Sequence, residues 1–241
     1  MSRATAGLLL ARVKNEVRQF GLLPFTDREA PSLVSIVAGG PVSGSWWGHP
    51  AGQSIYEIGE ALDSDPNVLV LRLWRGKLTL LHRQLWPALL RVGKARAPWQ
   101  MDGLGGVAAQ LLSRIQREET LRSDRLPADF APGAPGFKPA LRSLEDRLLV
   151  LTRSVHTTSG AHALEAESWQ SWSVRTRTVP SPGPAVSAQL AIEDAARRLT
   201  PSGDPRMSLP WGRFGRNARS HTHPRPSHLS GLAANRRQLR G

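Results

Sequence analysis

The chain has 241 residues and no cysteine, which excludes disulfide bonds, thiolate nucleophiles and cysteine-ligated zinc. A hydrophobic content of 40% is enough for a packed core, yet no apolar run reaches the roughly 18 residues that a membrane-spanning helix needs. The apolar stretch near the N-terminus is followed at once by Arg12 and Lys14 and is too short for a secretory signal. We therefore expect a cytoplasmic protein with no membrane partner.

The net charge of +13 is concentrated toward the C-terminus. Residues 1–174 hold 20 basic against 16 acidic side chains, whereas residues 175–241 hold 12 arginines against 3 acids. Only four of the 32 basic residues are lysines, a bias that GC-rich codon usage also produces. The charge is therefore weak support for a nucleic-acid partner, and most of it belongs to the final segment.

The first part of the chain predicts three helices in succession. Apolar residues from Leu9 to Phe20 recur at helical spacing and stop at Gly21, and a short helix follows Pro31. A loop that contains SWWGHP (45–50) then leads into a third helix over residues 51–63.

The pattern changes at residues 67–83. Two apolar, β-branched runs, 68–74 and 77–83, flank Arg75-Gly76 and predict a β-hairpin with a two-residue turn. Three helices followed by a hairpin is the order of a winged helix. We therefore expect an α+β, mainly helical protein whose N-terminal half is winged-helix-like.

The rest of the chain predicts a helical region. Helical periodicity and proline-rich breaks place the helices at 85–96, 104–122, 140–153, 161–172 and 187–199. As domains, we expect a winged-helix-like unit over 1–123, a helical region packed on it over 140–212, and a disordered Arg-rich tail over 213–241.

The hairpin supplies the candidate nucleic-acid contacts. Its basic side chains could follow a phosphate backbone, although ordinary solvated charges give the same pattern. The residues concerned are Arg72, Arg75, Lys77 and Arg83.

The helix that would enter the major groove argues against base readout. Residues 51–63 present Glu57, Glu60 and Asp63 on their polar face, and phosphates repel carboxylates. Any contact is therefore expected through the hairpin.

The SWWGHP loop offers a second kind of site. Trp46, Trp47 and His49 could stack a flat ligand, or the tryptophans could simply supply buried apolar area. If the segment is extended, its two rings point in opposite directions, so that one enters the core while the other covers a neighbouring surface or lies exposed.

The segment VHTTSGAH (155–162) carries two further histidines. His156 and His162 are six residues apart, wider than the helical spacing of zinc ligands, and Ser159 lacks the glycines of a nucleophile elbow. We assign neither a metal nor a catalytic residue here. If this segment meets the SWWGHP loop, both histidines would share a pocket with Trp46, Trp47 and His49.

Three stretches carry a resemblance to known proteins: GSWWGHPAGQSIYEI, LHRQLWPALLRVGKARAPWQ and VHTTSGAHALEAESW. Together they resemble a bacterial family of conserved hypothetical proteins over about residues 5–175. The resemblance implies neither an activity nor a functional residue.

The sequence leaves two main functions open, and it neither favours nor excludes a third, a structural or partner-binding module. The first is a non-enzymatic, winged-helix-like protein that binds DNA or RNA, mostly through phosphate contacts. The alternative is an enzyme or small-ligand-binding protein with a pocket between the two loops. We expect no cofactor in either case, and the sequence specifies no oligomeric state.

Overall fold

A computed structural model describes residues 3–126, 136–157, 160, 162–200 and 202–220. These residues form ten α-helices and six strands, so the predicted α+β, mainly helical class is confirmed. None of the described helices is both long and apolar enough to cross a lipid bilayer.

The chain begins with three helices and a short strand: α1 (Arg3–Phe20), β1 (Leu22–Pro24), α2 (Leu33–Ala38) and α3 (Gly52–Asp63). Gly21 ends α1 with a φ of 86°, a conformation that glycine adopts without a steric penalty. Ser32 and Ser35 cap the start of α2 reciprocally. The breaks between elements thus follow the local turn chemistry.

The predicted hairpin is confirmed, with a longer connection than expected. Strands β2 (Val68–Arg72) and β3 (Leu78–His82) pair antiparallel, and β1 pairs with the other side of β3, so the sheet order is β1-β3-β2. The strands are joined by residues 73–77 rather than by Arg75-Gly76 alone. The chain leaves the ladder early because Trp74 is fully buried and its backbone N–H donates to the Thr79 hydroxyl.

The second half holds seven helices and three strands. In chain order they are α4 (Trp86–Gly93), α5 (Pro98–Met101), α6 (Gly106–Glu118), β4 (Thr120–Arg122), α7 (Phe137–Asp146), β5 (Leu151–His156), β6 (His162–Glu167), α8 (Trp169–Thr176), α9 (Ala185–Leu199) and α10 (Pro210–Ser220).

The second half therefore carries a sheet where helices were predicted. The expected helix over 140–153 ends at Asp146, and the expected helix over 161–172 begins only at Trp169. The residues between form β5 and β6 of a sheet with the order β4-β6-β5. The helical propensity of HALEAE is overridden because β6 pairs on both sides and buries four of its six residues.

The start of the predicted tail is also helical. Disorder was expected from residue 213, but α10 continues to Ser220. Trp211 is buried and its indole N–H lies 2.6 Å from Oε1 of Glu193, while Phe214 packs on the core. The remainder of the predicted tail, residues 221–241, lies outside the described residues.

Buried side chains form two clusters. The first surrounds the β1-β3-β2 sheet and combines α1–α4, α8 and α9 with Trp211. The second lies between α6, α7 and the β4-β6-β5 sheet, and draws on residues 108–121 and 137–166. Leu148, Leu151, Trp169 and Trp172 reach from the second half into the first cluster. The predicted domain limits stay a prediction.

Candidate functional site

The SWWGHP loop is a helical turn seated on the start of α3. Residues Trp46–Gly48 form one 3₁₀ turn, and Nδ1 of His49 accepts the backbone N–H of Ala51 at 3.1 Å. A Cβ at Gly52 would lie 3.0 Å from the carbonyl oxygens of both tryptophans. Glycine at this position therefore lets the loop approach the helix closely, and His49 serves to close the loop.

The loop holds its two tryptophans face to face. Trp46 and Trp47 stack with their ring centroids 4.0 Å apart and their planes 25° apart. The segment is not extended, so the condition under which opposed rings were expected is not met. The reason is the 3₁₀ turn, because only an extended segment points consecutive side chains to opposite sides. Trp46 packs on Phe25 toward the core, whereas Trp47 is 64% exposed. The ring centroids of Trp47 and Tyr56 are 5.7 Å apart.

We call the three rings of Trp46, Trp47 and Tyr56 the aromatic rim. A cavity of about 380 Å³ lies beside it. Its walls come from the SWWGHP loop, α3, the β2–β3 hairpin and β5. Ten large apolar side chains are exposed in the described part of the chain, and four of them line this cavity: Trp47, Tyr56, Leu78 and Leu164. Apolar exposure is thus concentrated here.

Two carboxylates of α3 line the cavity next to the aromatic rim. Tyr56, Glu60 and Asp63 follow one another at i, i+4 and i+7, so they share one face of the helix. Neither Glu60 nor Asp63 has an ion-pair partner within direct contact among the described residues. Desolvation and the negative charge of Glu60 raise the pKa of Asp63, and the positive charge of Arg153 opposes this rise only in part.

The charges on the opposite wall are already paired. Nε of Arg72 lies 3.6 Å from Oε2 of Glu145, and the Thr152 hydroxyl donates to the same carboxylate. Arg153 forms an ion pair with Glu165. Among the described residues that line the cavity, the charge without a direct partner is therefore the negative charge of Glu60 and Asp63.

Three of the four predicted nucleic-acid contacts are held by acids of the chain itself. Arg72 pairs with Glu145 as described, and Nζ of Lys77 lies 3.2 Å from Oδ2 of the buried Asp27. Nη1 of Arg75 lies 3.5 Å from Oδ1 of Asp27, and its Nη2 lies 2.6 Å from Oε2 of Glu29.

Arg83 differs from these three cations. Its guanidinium donates to Oδ1 of Asn67 at 3.2 Å and has no acidic partner among the residues described. It is therefore the hairpin cation with most freedom to meet a phosphate.

Two of the three predicted histidines do not line the cavity. Neither His49 nor His162 is among its lining residues. Nδ1 of His162 lies 3.3 Å from Oγ of Ser154, which does line the cavity, and the backbone of His156 is paired with that of His162 in the β5–β6 ladder. The His156 side chain and the whole of Ser159 lie outside what the structure describes. Within the described residues, no group of three or more His, Asp or Glu side chains is arranged to hold a metal ion.

The sequence predicted the tryptophans of this site but not its other parts. Tyr56, Glu60 and Asp63 could have been found from their i, i+4, i+7 spacing, which places an aromatic ring and two acids in a row. The β5 wall gave no such signal, because residues 151–153 continued a helical pattern.

Comparison of the chain with protein-family models, with curated proteins and with solved structures finds no match. The resemblance to a bacterial family of conserved hypothetical proteins therefore stays a prediction.

Proposed function

We propose that the protein binds a ligand that has an apolar body and a cationic group, in the cavity beneath the SWWGHP loop. The observation that carries the proposal is the pairing of an exposed aromatic rim with two carboxylates that lack a direct cationic partner in the described chain. An apolar surface left open beside unpaired charge of one sign is typical of a binding site.

Each part of the cavity has a role in this proposal. The leucine and valine walls would take the apolar body, and about 380 Å³ is within the range of cavities that hold small ligands. The faces of Trp47 and Tyr56 attract cations through their ring quadrupoles. Glu60 and Asp63 would add charge attraction at the same end of the ligand.

The test is calorimetric titration with phenylethylammonium as the probe. Its neutral and anionic counterparts, 2-phenylethanol and 3-phenylpropionate, are matched in shape. We expect the cation to bind most tightly, and Trp47→Ala to weaken it about 3- to 30-fold, the range of a cation–π contact. Val179→Ala, an exposed site outside the cavity, is the control. Equal binding of the anion would contradict the proposal.

A second candidate function is nucleic-acid binding by a winged-helix-like unit. The order α1-β1-α2-α3-β2-β3 with the sheet order β1-β3-β2 supports it. The acidic face of α3 and the paired hairpin cations weigh against base readout, so this candidate depends on Arg83 and on the arginines near the C-terminus.

The second candidate is tested by DNA and RNA titrations across a salt series with the full chain and with residues 1–220. Salt-sensitive binding that survives truncation and whose salt slope falls by about 1 in Arg83→Gln would support it. Binding that disappears on truncation would assign the affinity to the Arg-rich terminal segment instead.

A further inference from the structure

The cavity continues into a second one along β5. This second cavity has a volume of about 640 Å³ and reaches the end of α3, the start of β2 and α8. The two cavities share six lining residues: Asp63, Val70, Leu151, Thr152, Arg153 and Ser154. They are therefore one cleft, which we call the inter-sheet cleft, with β2 on one side and β5 on the other.

Both strands that line the inter-sheet cleft are edge strands. β2 is the outer strand of the order β1-β3-β2, and β5 is the outer strand of the order β4-β6-β5. An edge strand has one row of backbone N–H and C=O groups that its own sheet does not use, and such a row is a template for another strand.

The register identifies which residues of β2 carry the unused groups. Arg83 N donates to Asn67 O, and Leu73 N donates to Lys77 O. Because hydrogen-bonded pairs alternate along an antiparallel ladder, the odd-numbered residues of β2 bond to β3. Val70 and Arg72 therefore turn their N–H and C=O groups away from their own sheet.

The same reasoning applies to β5. Ser168 N donates to Glu119 O, so the even-numbered residues of β6 bond to β4 and its odd-numbered residues bond to β5. Thr152 and Ser154 are opposite even-numbered residues of β6. Their backbone groups accordingly point away from the sheet, at the strand edge that lines the cleft.

We propose that the ligand of the inter-sheet cleft is an extended peptide segment with alternating apolar and basic side chains, paired through its main chain with β2, β5 or both. The inference rests on the proposed function, since the aromatic rim, Glu60 and Asp63 would bind the side chains of the same peptide. Backbone pairing supplies affinity and alternate side chains supply specificity in this mode of recognition.

The charges and dimensions of the cleft fit such an occupant. Glu60 and Asp63 need a cationic side chain, while Asp65 and Glu167 farther along are neutralised by Lys14 and Arg175. The five residues of β2 offer an edge about 16 Å long at a strand rise of about 3.3 Å per residue. A segment of five or six residues would match it.

The experiment is amide hydrogen exchange on the full chain, with and without a capped eight-residue peptide of alternating valine and arginine. We expect exchange at Val70, Arg72, Thr152 or Ser154 to slow at least tenfold. Two control peptides keep the length: one replaces arginine with glutamate, and one carries an N-methyl group on every amide, so that neither edge of the peptide keeps a main-chain donor. Both should bind at least tenfold more weakly. The glutamate peptide is repelled by Glu60 and Asp63, and the N-methylated peptide cannot donate main-chain hydrogen bonds to the strand edge.

A pair of protein variants tests the edge directly. Ser154→Pro removes the outward N–H of an edge position without removing a ladder bond, whereas Ser154→Ala removes only the hydroxyl. If the peptide pairs with β5, only the proline variant should weaken peptide binding. Unchanged binding in both variants, together with slowed exchange at Val70 or Arg72, would assign the pairing to β2, and unchanged binding without that protection would overturn main-chain pairing.

The outcomes separate this inference from the proposed function. Peptide binding that leaves all four amides unprotected, or that survives N-methylation, overturns main-chain pairing. If phenylethylammonium binds and the peptide does not, the peptide assignment fails while the cation site stands. If neither probe binds, both proposals fail.

Discussion

Asp27 lies beneath the hairpin connection with no solvent exposure of its side chain. Its carboxylate accepts the backbone N–H groups of Glu29 and Ala30 and the indole N–H of Trp74, and it pairs with Lys77. Burial alone would raise the pKa of Asp27, but these hydrogen bonds and the lysine charge outweigh it and lower the pKa below 3.8. One carboxylate therefore ties the segment before α2 to the hairpin.

Replacing Asp27 with asparagine should destabilise the protein by about 1–3 kcal/mol, because the buried carboxylate loses its charge-assisted hydrogen bonds while Lys77 and Arg75 are partly exposed and keep some solvation. Urea unfolding at pH 7 measures the change. Glu29→Gln removes only the exposed partner of Arg75 and should change the free energy of unfolding by less than about 1 kcal/mol.

The pH dependence of Asp27 has a definite sign. Since its folded pKa is lowered, its contribution is present above the unfolded pKa near 3.8 and is lost as the pH falls through the folded pKa. The destabilisation by Asp27→Asn should therefore shrink below pH 4. A constant difference down to pH 2 would contradict this account.

The contribution of Asp63 to stability depends on pH with the opposite sign. Its pKa is raised by desolvation and by Glu60, so ionisation opposes folding as the pH rises from 3.8 through the folded pKa. Asp63→Asn should then increase the free energy of unfolding at pH 7 and weaken binding of phenylethylammonium. The stability gain should vanish at pH 3, because the side chain at position 63 is then neutral in the wild-type protein as well as in the variant. A less stable Asp63→Asn at pH 7 would show that the carboxylate has a favourable partner.

At the scale of elements, α4 and α8 meet at a glycine. The indole of Trp169 lies directly over Gly93 and donates its N–H to Leu148 O at 2.7 Å. The same ring meets Trp172 edge to face, with centroids 5.6 Å apart. The absence of a side chain at Gly93 therefore decides how closely the two helices approach.

Gly93→Ala should destabilise the protein by about 1–3 kcal/mol, because its Cβ would overlap the Trp169 ring. Thermal unfolding followed by circular dichroism is a suitable measurement. Gly106→Ala, at the first residue of α6 where a Cβ meets nothing within 4 Å, is the matched control and should stabilise by up to about 1 kcal/mol. Equal effects of the two substitutions would remove the packing argument.

The elements that the sequence predicted well are those with strong local signals. The helix stop at Gly21 and the apolar runs of the hairpin are such signals. The β5–β6 pair could not be found in this way, because HALEAE has helical propensity and its strand form depends on pairing with β4 and on ion pairs to Glu165 and Glu167. The β4 residues lie more than about 40 positions earlier in the chain, beyond the reach of a local pattern.

At the scale of the whole molecule, the inter-sheet cleft exists because two separately formed sheets are held side by side. Leu148 and Leu151 enter the core of the first sheet, while their neighbours Leu149 and Val150 belong to the second cluster. The cleft could not be predicted from the sequence, because its two walls come from segments that are far apart in the chain. The sequence indicated Trp46 and Trp47, but their partners across the cleft come from a strand about 100 residues later.

The unequal burial of the eight tryptophans has an optical consequence. Trp47 is 64% exposed, whereas the other seven are buried or half-buried. A collisional quencher in the solvent thus reaches one indole far more readily than the rest, so a minor, red-shifted part of the emission comes from the mouth of the cleft. Because Glu60 and Asp63 lie beside that ring, caesium ions should gather there and iodide should be repelled. The ratio of caesium to iodide quenching is therefore an intrinsic gauge of the charge at the site, readable without a label and before any ligand is known.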